Sequence, residues 1–477
     1  MINLILLFPI LACLILYFTK KDRLNSLMIN LYAFIHLICS GLACAGIDLI
    51  PAWKSCSFFA INSRNIVFLT IMSIIFMAVA VYNNGYLKND HEDKSKVRHY
   101  TYMVLLFILA MSGAILSTNL GVSWVFIEGT TLASAYLIYY HKTKHSIEAA
   151  WKYVFICSIG IALAFVGIIL LAFATGNLNS LYYEDLYKNA TLFNPFWLKL
   201  SFVFILFGIG TKMGLAPVHF WLPDAHAQAP SPISALLSAT LLNSAFLMIL
   251  NVFSVMILAN CDSFARIMML AMGFISLFIA AVFIYHINNY KRMLAYSSIE
   301  NMGILIIGIA LGGIGAIASI VHLIGHSLIK ASFFLTAGNI LEIYGTKKIK
   351  SITGLSVIDK KTSWLWFASL IGIVAFPPSL LFISEFLIVK EMFSQEKFGL
   401  CVLFLTLLTI ILYGLAKAVI KMCYTPANPE KREELENSVK KLDWTMYTPQ
   451  IILLTLAFVL GIYMPMCINN LIARTIA

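Results

Sequence analysis

Residues 199–218 read KLSFVFILFGIGTKMGLAPV, an apolar stretch that carries Lys212 in its second half. About 20 predominantly apolar residues are the length that an α-helix needs to cross a bilayer. Gly210, Gly214 and Pro217 lie beside the lysine, and proline interrupts the hydrogen bonding of a helix. The stretch therefore predicts a membrane-spanning helix that breaks close to a buried ammonium group.

The rest of the chain has the same apolar character. Its 477 residues are 61% hydrophobic and 12% charged, with a mean hydropathy of +0.89, whereas a soluble domain is about 25% charged. Such a chain must place most of its surface in lipid, where only helices and closed barrels satisfy every backbone polar group. The apolar runs do not alternate with polar residues, so the sequence predicts an all-α polytopic membrane protein.

The sequence contains about fourteen predicted spans. Their approximate limits are 2–19, 26–50, 67–87, 101–119, 121–140, 148–173, 199–218, 231–258, 264–287, 293–312, 314–340, 363–393, 398–423 and 447–470. The first lacks the basic leading segment of a signal peptide. The loops are too short to hold a soluble catalytic domain, and the last long one, 424–446, is predicted to be a surface helix or a solvated loop.

Lysine and arginine are distributed unevenly over the loops. Twenty lie on one side, including Lys291 and Lys347, seven lie on the other, and six lysines lie within spans. Because short cytoplasmic loops are enriched in lysine and arginine, the first side is predicted to be cytoplasmic, with both termini outside. The net charge of +11 is then an orientation signal, helped by anionic lipid, and not a nucleic-acid-binding surface.

No motif for a metal, an iron–sulfur cluster or a nucleotide is found in the sequence. The nine cysteines lie mostly in apolar runs without a CxxC pair or a Cys/His cluster. Neither GxGxxG after a strand nor GxxxxGK[ST] occurs. We therefore expect no cofactor and no metal in this chain, and we expect any redox chemistry to lie in other subunits.

Ionisable residues occur inside the predicted spans, where each costs at least ~2.5–3.5 kcal/mol on insertion scales and so needs a partner or a function. They are not scattered. In chain order they are Glu128 (WVFIEGTTLASA), Lys212, His322, His326 and Lys330 (HLIGHSLIK), and Glu385 (AFPPSLLFISEF). Because histidine titrates near neutral pH, we predict that these residues form a proton path.

Three of these residues form what we call the histidine–lysine series: His322, His326 and Lys330. Their spacing of four keeps them on one helical stripe, over about 12 Å of a core roughly 30 Å thick. Two packed histidines with a snorkelling lysine are the alternative, although Lys330 is followed by more apolar helix. A zinc site is disfavoured, because no carboxylate or cysteine is near in sequence and the ammonium would oppose a cation.

A second predicted break matches the first. Pro377 and Pro378 precede Glu385 in the twelfth span, as Lys212 precedes Pro217 in the seventh. Interrupted spans at matching places in two halves indicate inverted repeats with a transport site. Prolines that only kink packed helices would not explain a charge beside both breaks. The predicted organisation is a three-helix segment at 1–100, inverted five-helix repeats at 101–258 and 264–423, and a cytoplasmic loop with a C-terminal helix at 424–477.

Several stretches resemble one family over nearly the whole chain. They are WVFIEGTTLAS, EAAWKYVFICSIG, GTKMGLAPVHFWLPDAHAQAPSPISALLS, YKRMLAYSSIENMG, HLIGHSLIKASFFLTAG and PPSLLFISEF. They are similar to the proton-channel, antiporter-like subunits shared by respiratory complex I, membrane-bound hydrogenases and Mrp-type cation antiporters. The residues around Glu128, IEGTTLAS and then HKTKHSIEAAWKY, look most like the F-type subunit of the hydrogenase-4 and formate hydrogenlyase group.

The resemblance implies a role for each residue. Glu128 corresponds to an acidic residue that modulates the lysine on the neighbouring broken helix, Lys212. The histidine–lysine series matches the central hydrophilic axis, and Glu385 matches a charged relay or exit residue on the second broken helix. It also implies partners: other membrane subunits and a peripheral redox arm with nickel–iron and iron–sulfur centres, in the cell inner membrane.

One departure from the family lies in the eighth span. Many relatives carry a lysine or histidine there that links the two halves, but this chain has SALLSATLLNSAFLM, with Ser238, Thr240 and Asn243 as polar residues. Either water bridges Lys212 to His322 through these possible linkers, or the path is weaker.

The predicted function is that of a non-catalytic, proton-translocating subunit of an energy-converting oxidoreductase, of hydrogenase or NADH:quinone oxidoreductase type. The alternative is a subunit of a multisubunit Na⁺/H⁺ antiporter of Mrp type, so the coupling ion stays open between H⁺ and Na⁺. A membrane enzyme that uses an intramembrane histidine is disfavoured, because the charges are spread over four spans.

Overall fold

The computed structural model describes residues 1–19, 23–47, 58–89, 94–176, 178–426, 432–440 and 442–476. Thirteen helices in those ranges are long and apolar enough to cross a membrane. Large apolar side chains such as Leu11, Phe155 and Val402 are exposed on their outer faces, as a surface that faces lipid requires. The predicted all-α polytopic fold is confirmed.

The N-terminal segment consists of three helices, which are α1 (Ile2–Thr19), α2 (Arg23–Cys44) and α3 (Asn65–Asn89). α3 is largely buried, whereas α1 is mostly exposed. A hydrogen bond of 2.9 Å from the hydroxyl of Tyr32 to the carbonyl of Ile5 joins α2 to α1. The outer position of α1 leaves α3 to pack against the rest of the chain.

Two groups of helices follow and match the predicted repeats. The first comprises α4 (Lys94–Leu116), α5 (Leu120–Tyr139), α6 (Lys144–Thr175), the short α7 (Tyr183–Asn189), α8 (Pro195–Met213), α9 (Trp221–Gln228), α10 (Ser231–Leu236) and α11 (Leu242–Leu258). The second comprises α12 (Asp262–Ile284), α13 (Tyr290–Leu311), α14 (Gly313–Tyr344), the short α15 (Leu355–Ile358), α16 (Lys360–Ile373), α17 (Leu380–Ser394) and α18 (Phe398–Tyr424). A π-helical segment, Leu237–Leu241, joins α10 to α11 in one continuous span.

Corresponding helices of the two groups share lengths, capping interactions and isolated bridges. α6 and α14 each have 32 residues. The side chains of Asn119 and Asn289 cap α5 and α13 by accepting from two backbone N–H groups each. Both asparagines also form an isolated bridge to the segment after the long helix, with Tyr182 and Lys348 respectively. The recurrence of the five-helix unit is thus visible in local detail, while its inversion and the limits of the four-part division stay a prediction.

Both predicted breaks are present. α8 ends at Met213, where Gly214 takes a φ of 77° and its N–H donates to carbonyls of the last turn. Only glycine adopts that left-handed conformation without steric cost. α16 ends at Ile373, and the peptide bonds before Pro217 and Pro378 are both cis. The predicted twelfth span is therefore two helices, neither of which crosses a membrane alone.

The end of the chain differs from the prediction of one helix at 447–470. The predicted surface loop contains α19 (Arg432–Val439), and then α20 (Thr448–Ile462) and α21 (Met466–Ile476) follow as separate helices. Pro465 lies between them, and proline cannot continue a helix from the preceding turn. The carbonyl of Thr475 accepts a hydrogen bond of 3.2 Å from the Nε of Arg64, which anchors α21 beside the start of α3.

Candidate proton path

Lys212 lies in the last turn of α8 and is fully buried. Its Nζ donates to the hydroxyl of Tyr153 at 3.0 Å and to Oγ1 of Thr130 at 3.4 Å. It also lies 4.9 Å from the centroid of the Tyr153 ring, and cations are attracted to aromatic faces. Neutral oxygen atoms and a ring therefore surround this ammonium.

The break in α8 adds to the stabilisation of Lys212. Cations are favoured near the C-terminal end of a helix, where the last carbonyl groups are unpaired. One of these carbonyls, that of Thr211, accepts a hydrogen bond of 2.7 Å from Nε1 of Trp221 in α9. The Trp221 ring also lies 4.9 Å from that of Tyr153. The two sides of the break are thus tied together around the lysine.

Glu128 projects from α5 and is half-buried. Its carboxylate accepts hydrogen bonds from Thr131 at 2.9 Å and from Ser158 of α6 at 3.4 Å. No ion pair within 4.0 Å joins Glu128 to Lys212 in the part of the chain that the structure describes. The consecutive residues Thr130 and Thr131 separate the two groups, which interact electrostatically across them. The expected pairing is therefore not a direct contact but one across hydroxyl groups.

The eighth span reaches both α13 and α14. The hydroxyl of Ser238 lies 2.8 Å from that of Ser298 in α13. Asn243 donates through Nδ2 to the Ser327 hydroxyl of α14 at 2.7 Å, while its Oδ1 has no protein partner. Thr240 instead bonds to the Leu236 carbonyl of its own helix. Ser238 and Asn243 therefore contact the second group of helices, and their role as linkers stays a prediction.

His322 can hold or release a proton without losing a hydrogen bond. Its Nε2 lies 3.1 Å from Oδ1 of Asn301, whose Nδ2 is already bonded to a backbone carbonyl, so Nε2 donates. Its Nδ1 lies 2.9 Å from the hydroxyl of Ser384 in α17, which can also donate to the carbonyl of Leu381. In the neutral ring Nδ1 accepts from this hydroxyl, and in the cation it donates to it.

His326 and Lys330 follow on the same face of the unbroken helix α14, and both are fully buried. Nζ of Lys330 donates to the carbonyl of Leu294 in α13 at 2.7 Å. Neither ring nitrogen of His326 has a hydrogen-bond partner in the protein. Buried polar atoms are nearly always satisfied by protein or ordered water, so the ring of His326 faces a place where water is needed.

A further carboxylate, Glu300 of α13, escaped the sequence analysis. It is 4% exposed, and its Oε2 has no protein partner. It interacts electrostatically with Lys330 and with Glu385, which projects from α17 and is half-buried. Glu300 lies well inside the tenth predicted span, so the cost of an intramembrane charge applies to it as well. That cost could have identified Glu300 from the sequence.

A second correction concerns the lysines at the end of α9. The charge count places Lys291 in a loop, but it is fully buried in α13 and donates to the Ala229 carbonyl at 2.8 Å. Lys347 is half-buried and donates to the Ala227 carbonyl at 2.7 Å. Burial lowers the pKa of Lys347, which lies outside the spans. Lysines commonly cap helix C-termini in this way, and these two hold the short helix after the first break.

Comparison with known proteins places these residues in a family. Residues 117–412 match the model of the family described as NADH:quinone oxidoreductase/Mrp antiporter, transmembrane. The chain is 31% identical over 472 residues to the hydrogenase-4 component F homolog of Methylacidiphilum infernorum, covering 97% of this chain and 96% of that protein. It is 26% identical to an Na⁺/H⁺ antiporter subunit of Bacillus subtilis, covering 96% and 93%.

The fold has solved counterparts. The Mrp complex of Dietzia sp. DQ12-45-1b contains a chain that superposes with a TM-score of 0.86 at 17% sequence identity, covering 100% of this chain and 96% of that one. At this identity the likeness shows the fold alone. Both the sequence relatives and this structure are subunits of multisubunit membrane assemblies.

Proposed function

Because the chain belongs to the NADH:quinone oxidoreductase/Mrp antiporter family of transmembrane proteins, we propose that it moves protons as a membrane subunit of an energy-converting oxidoreductase. The parent complex is of hydrogenase-4 or formate hydrogenlyase type, or resembles NADH:quinone oxidoreductase. The chain itself transfers no electrons and holds no cofactor. Nickel–iron and iron–sulfur centres lie in partner subunits of a peripheral arm.

One observation carries this proposal. In the described part of the chain, Lys212 and His322 are bonded to hydroxyl and amide side chains and form no ion pairs. Lys212 bonds to two hydroxyl groups, and His322 bonds to one hydroxyl and one amide. Such contacts persist in either protonation state, because a hydroxyl group both donates and accepts. A purely structural set of charges would be expected to close into ion pairs.

The geometry supports an electrostatic cycle. Negative charge on Glu128 favours the ammonium form of Lys212, since an opposite charge nearby stabilises the charged state. If a conformational change in a neighbouring subunit weakens that influence, burial favours loss of the proton. The proton then passes across Ser238 and Asn243 to the histidine–lysine series and leaves towards Glu385.

We also propose where the chain lies. The charge asymmetry of the loops supports a position in the cell membrane, the inner membrane in a two-membrane cell, with both termini outside. The partners are lipid, neighbouring membrane subunits and the peripheral arm.

The second candidate is a subunit of a Na⁺/H⁺ antiporter of Mrp type. Similarity to the Na⁺/H⁺ antiporter subunit of B. subtilis over most of both chains favours it. The two candidates differ in what accompanies the chain. An oxidoreductase complex contains nickel–iron and iron–sulfur subunits and pumps when given electrons. An antiporter contains neither and exchanges Na⁺ for H⁺ without electrons.

The test is affinity purification of the whole complex, metal analysis, and reconstitution into liposomes that contain a pH-sensitive dye. We expect nickel, iron and redox-driven proton uptake in the wild type. Lys212→Met should abolish the uptake and leave the complex assembled. Lys212→Arg should fail as well, because a guanidinium does not release its proton in proteins. Pumping at the wild-type rate by both variants would contradict the proposed role.

A further inference from the structure

Glu300 is buried in a turn of α13 whose neighbouring residues contact two parts of the path. Two residues before it, Ser298 contacts Ser238 of the eighth span at 2.8 Å. Directly after it, Asn301 contacts His322 at 3.1 Å. This turn of α13 therefore touches both the eighth span and the histidine–lysine series, and it carries a buried carboxylate.

The surroundings of Glu300 leave its carboxylate available to a proton. It is 4% exposed, and Oε2 accepts no hydrogen bond from the protein. No lysine, arginine or histidine lies within 4.0 Å of it in the described part of the chain, although Lys330 attracts it from a greater distance. Burying a charge without a close partner is strongly unfavourable, so a purely packing role would favour an apolar side chain.

The glutamates Glu128 and Glu300 of the two halves lie at different positions relative to the capping asparagines. Glu128 is nine residues after the capping Asn119, whereas the residue nine after Asn289 is Ser298. Glu300 lies two residues further on and faces the series on α14. It is therefore not simply the second copy of Glu128.

We propose that Glu300 carries protons in the central path, between Lys330 and Glu385. This inference rests on the proposed function. Lys330 gives one proton, relayed by water, to the carboxylate of Glu300, which leaves a neutral amine and a carboxylic acid. The net charge of the pair is zero before and after the step. The acid then passes the proton to Glu385, a group of the same type, and becomes a carboxylate again.

The test compares Glu300→Gln with a matched control in the reconstituted complex. Glutamine keeps the volume and the hydrogen bonding but cannot carry a proton. We expect translocation to fall tenfold or more, as removal of a proton-transfer group does, while Glu300→Asp keeps part of it. The control is Glu391→Gln, since Glu391 is also a buried glutamate but bonds to Gln395 at the far end of α17. The control should pump at the wild-type rate.

One further measurement separates a proton carrier from a packing residue. The reaction-induced infrared difference spectrum should contain a protonated-carboxyl band that Glu300→Gln removes and Glu391→Gln keeps. If the band persists in Glu300→Gln, another group holds that proton and the proposal is overturned.

The inference and the proposed function fail in different ways. If Lys212→Met abolishes translocation while Glu300→Gln pumps like the wild type, Glu300 carries no protons and the proposed function stands. If Lys212→Met also pumps like the wild type, the proposed function itself is wrong.

Discussion

Lys212 and Glu128 bond to two consecutive threonines, Thr130 and Thr131 respectively, and not to each other. Each forms its own hydrogen bonds, to Tyr153 and Thr130 in one case and to Thr131 and Ser158 in the other. A carboxylate at this separation still influences the lysine, since charges in a poorly hydrated interior are screened weakly. A direct ion pair would oppose loss of the lysine's proton more strongly.

We therefore predict that Glu128→Gln impairs proton translocation and that its effect depends on Lys212. Without the carboxylate the ammonium form of Lys212 loses support, so the site should stay neutral and stop cycling. In a double-mutant cycle with Lys212→Met, the double variant should pump little worse than either single variant. Glu128→Asp keeps the charge and should keep partial activity. Strictly additive losses would mean that the two residues act independently.

The histidine–lysine series shows how one helix presents different chemistry at successive turns. His322 is held by Asn301 and Ser384, whereas His326 has no protein partner. The first ring is therefore held by two side chains, and the second by none within the described residues. Replacement of the second by water should cost less than loss of the first.

We predict that His326→Ala reduces translocation partly, that His322→Ala reduces it more, and that the double variant does worse than either. Ser384→Ala should weaken the His322 step specifically, because neutral His322 then lacks a donor to Nδ1. Initial rates of dye-reported proton uptake at matched redox turnover provide the measurement. Wild-type rates in the double variant would show that the series is only packing.

The break in α8 depends on one glycine. Gly214 has a φ of 77°, and a Cβ there would lie 2.4 Å from Cδ1 of Leu222. Gly214→Ala should lower the stability of the complex by about 1 kcal/mol or more from backbone strain alone. It should also displace Lys212 and reduce pumping.

Gly399 provides the matched control for that prediction. It lies inside α18, and a Cβ there would meet no atom within 4 Å. Gly399→Ala should be neutral or slightly stabilising, because alanine favours a helix more than glycine. The apparent melting temperature of the purified complex measures both variants. Equal melting temperatures would contradict the role of Gly214.

Local patterns account for what could be predicted from the sequence. The length of the apolar stretches predicts the helices, and proline and glycine predict both breaks. The spacing of four residues predicts that the histidine–lysine series lies on one face of α14. The contact of Lys212 with Tyr153 could not be predicted, because 59 residues separate them and their meeting depends on how α6 packs on α8. The burial of Lys291 could not be predicted either, since it depends on the end of α9.

At the scale of the whole molecule, the chain contains two similar groups of helices. The asparagine caps and isolated bridges of α5 and α13 recur at matching places. The charges do not recur, since Lys212 stands at the first break and the histidine–lysine series on the unbroken α14 of the second half. The two similar groups of helices thus carry different ionisable side chains. A proton path with a defined direction requires such a difference.

The orientation of the molecule in the membrane gives the last prediction. Fourteen crossings, with α16 and α17 counted as one, put both termini on the same side. With the buried Lys291 removed from the count, nineteen loop charges still face seven. Loop 341–362 should therefore be cytoplasmic, and the segment between α6 and α8 should be outside. Loop 88–100 should also be cytoplasmic, although residues 90–93 lie outside the described residues.

Single cysteines test this orientation in intact cells with a membrane-impermeant maleimide. Lys350→Cys and Leu192→Cys suit the two sides, because both residues are exposed. Cys467 must first be replaced by serine, since it is exposed, and so must Cys56, which lies outside the described residues. We expect labelling at position 192 in intact cells, and at position 350 only after the cells are opened. The reverse labelling pattern would contradict this orientation and would mean that both termini lie in the cytoplasm. The path from Lys212 to Glu385 would then have the opposite direction relative to the membrane.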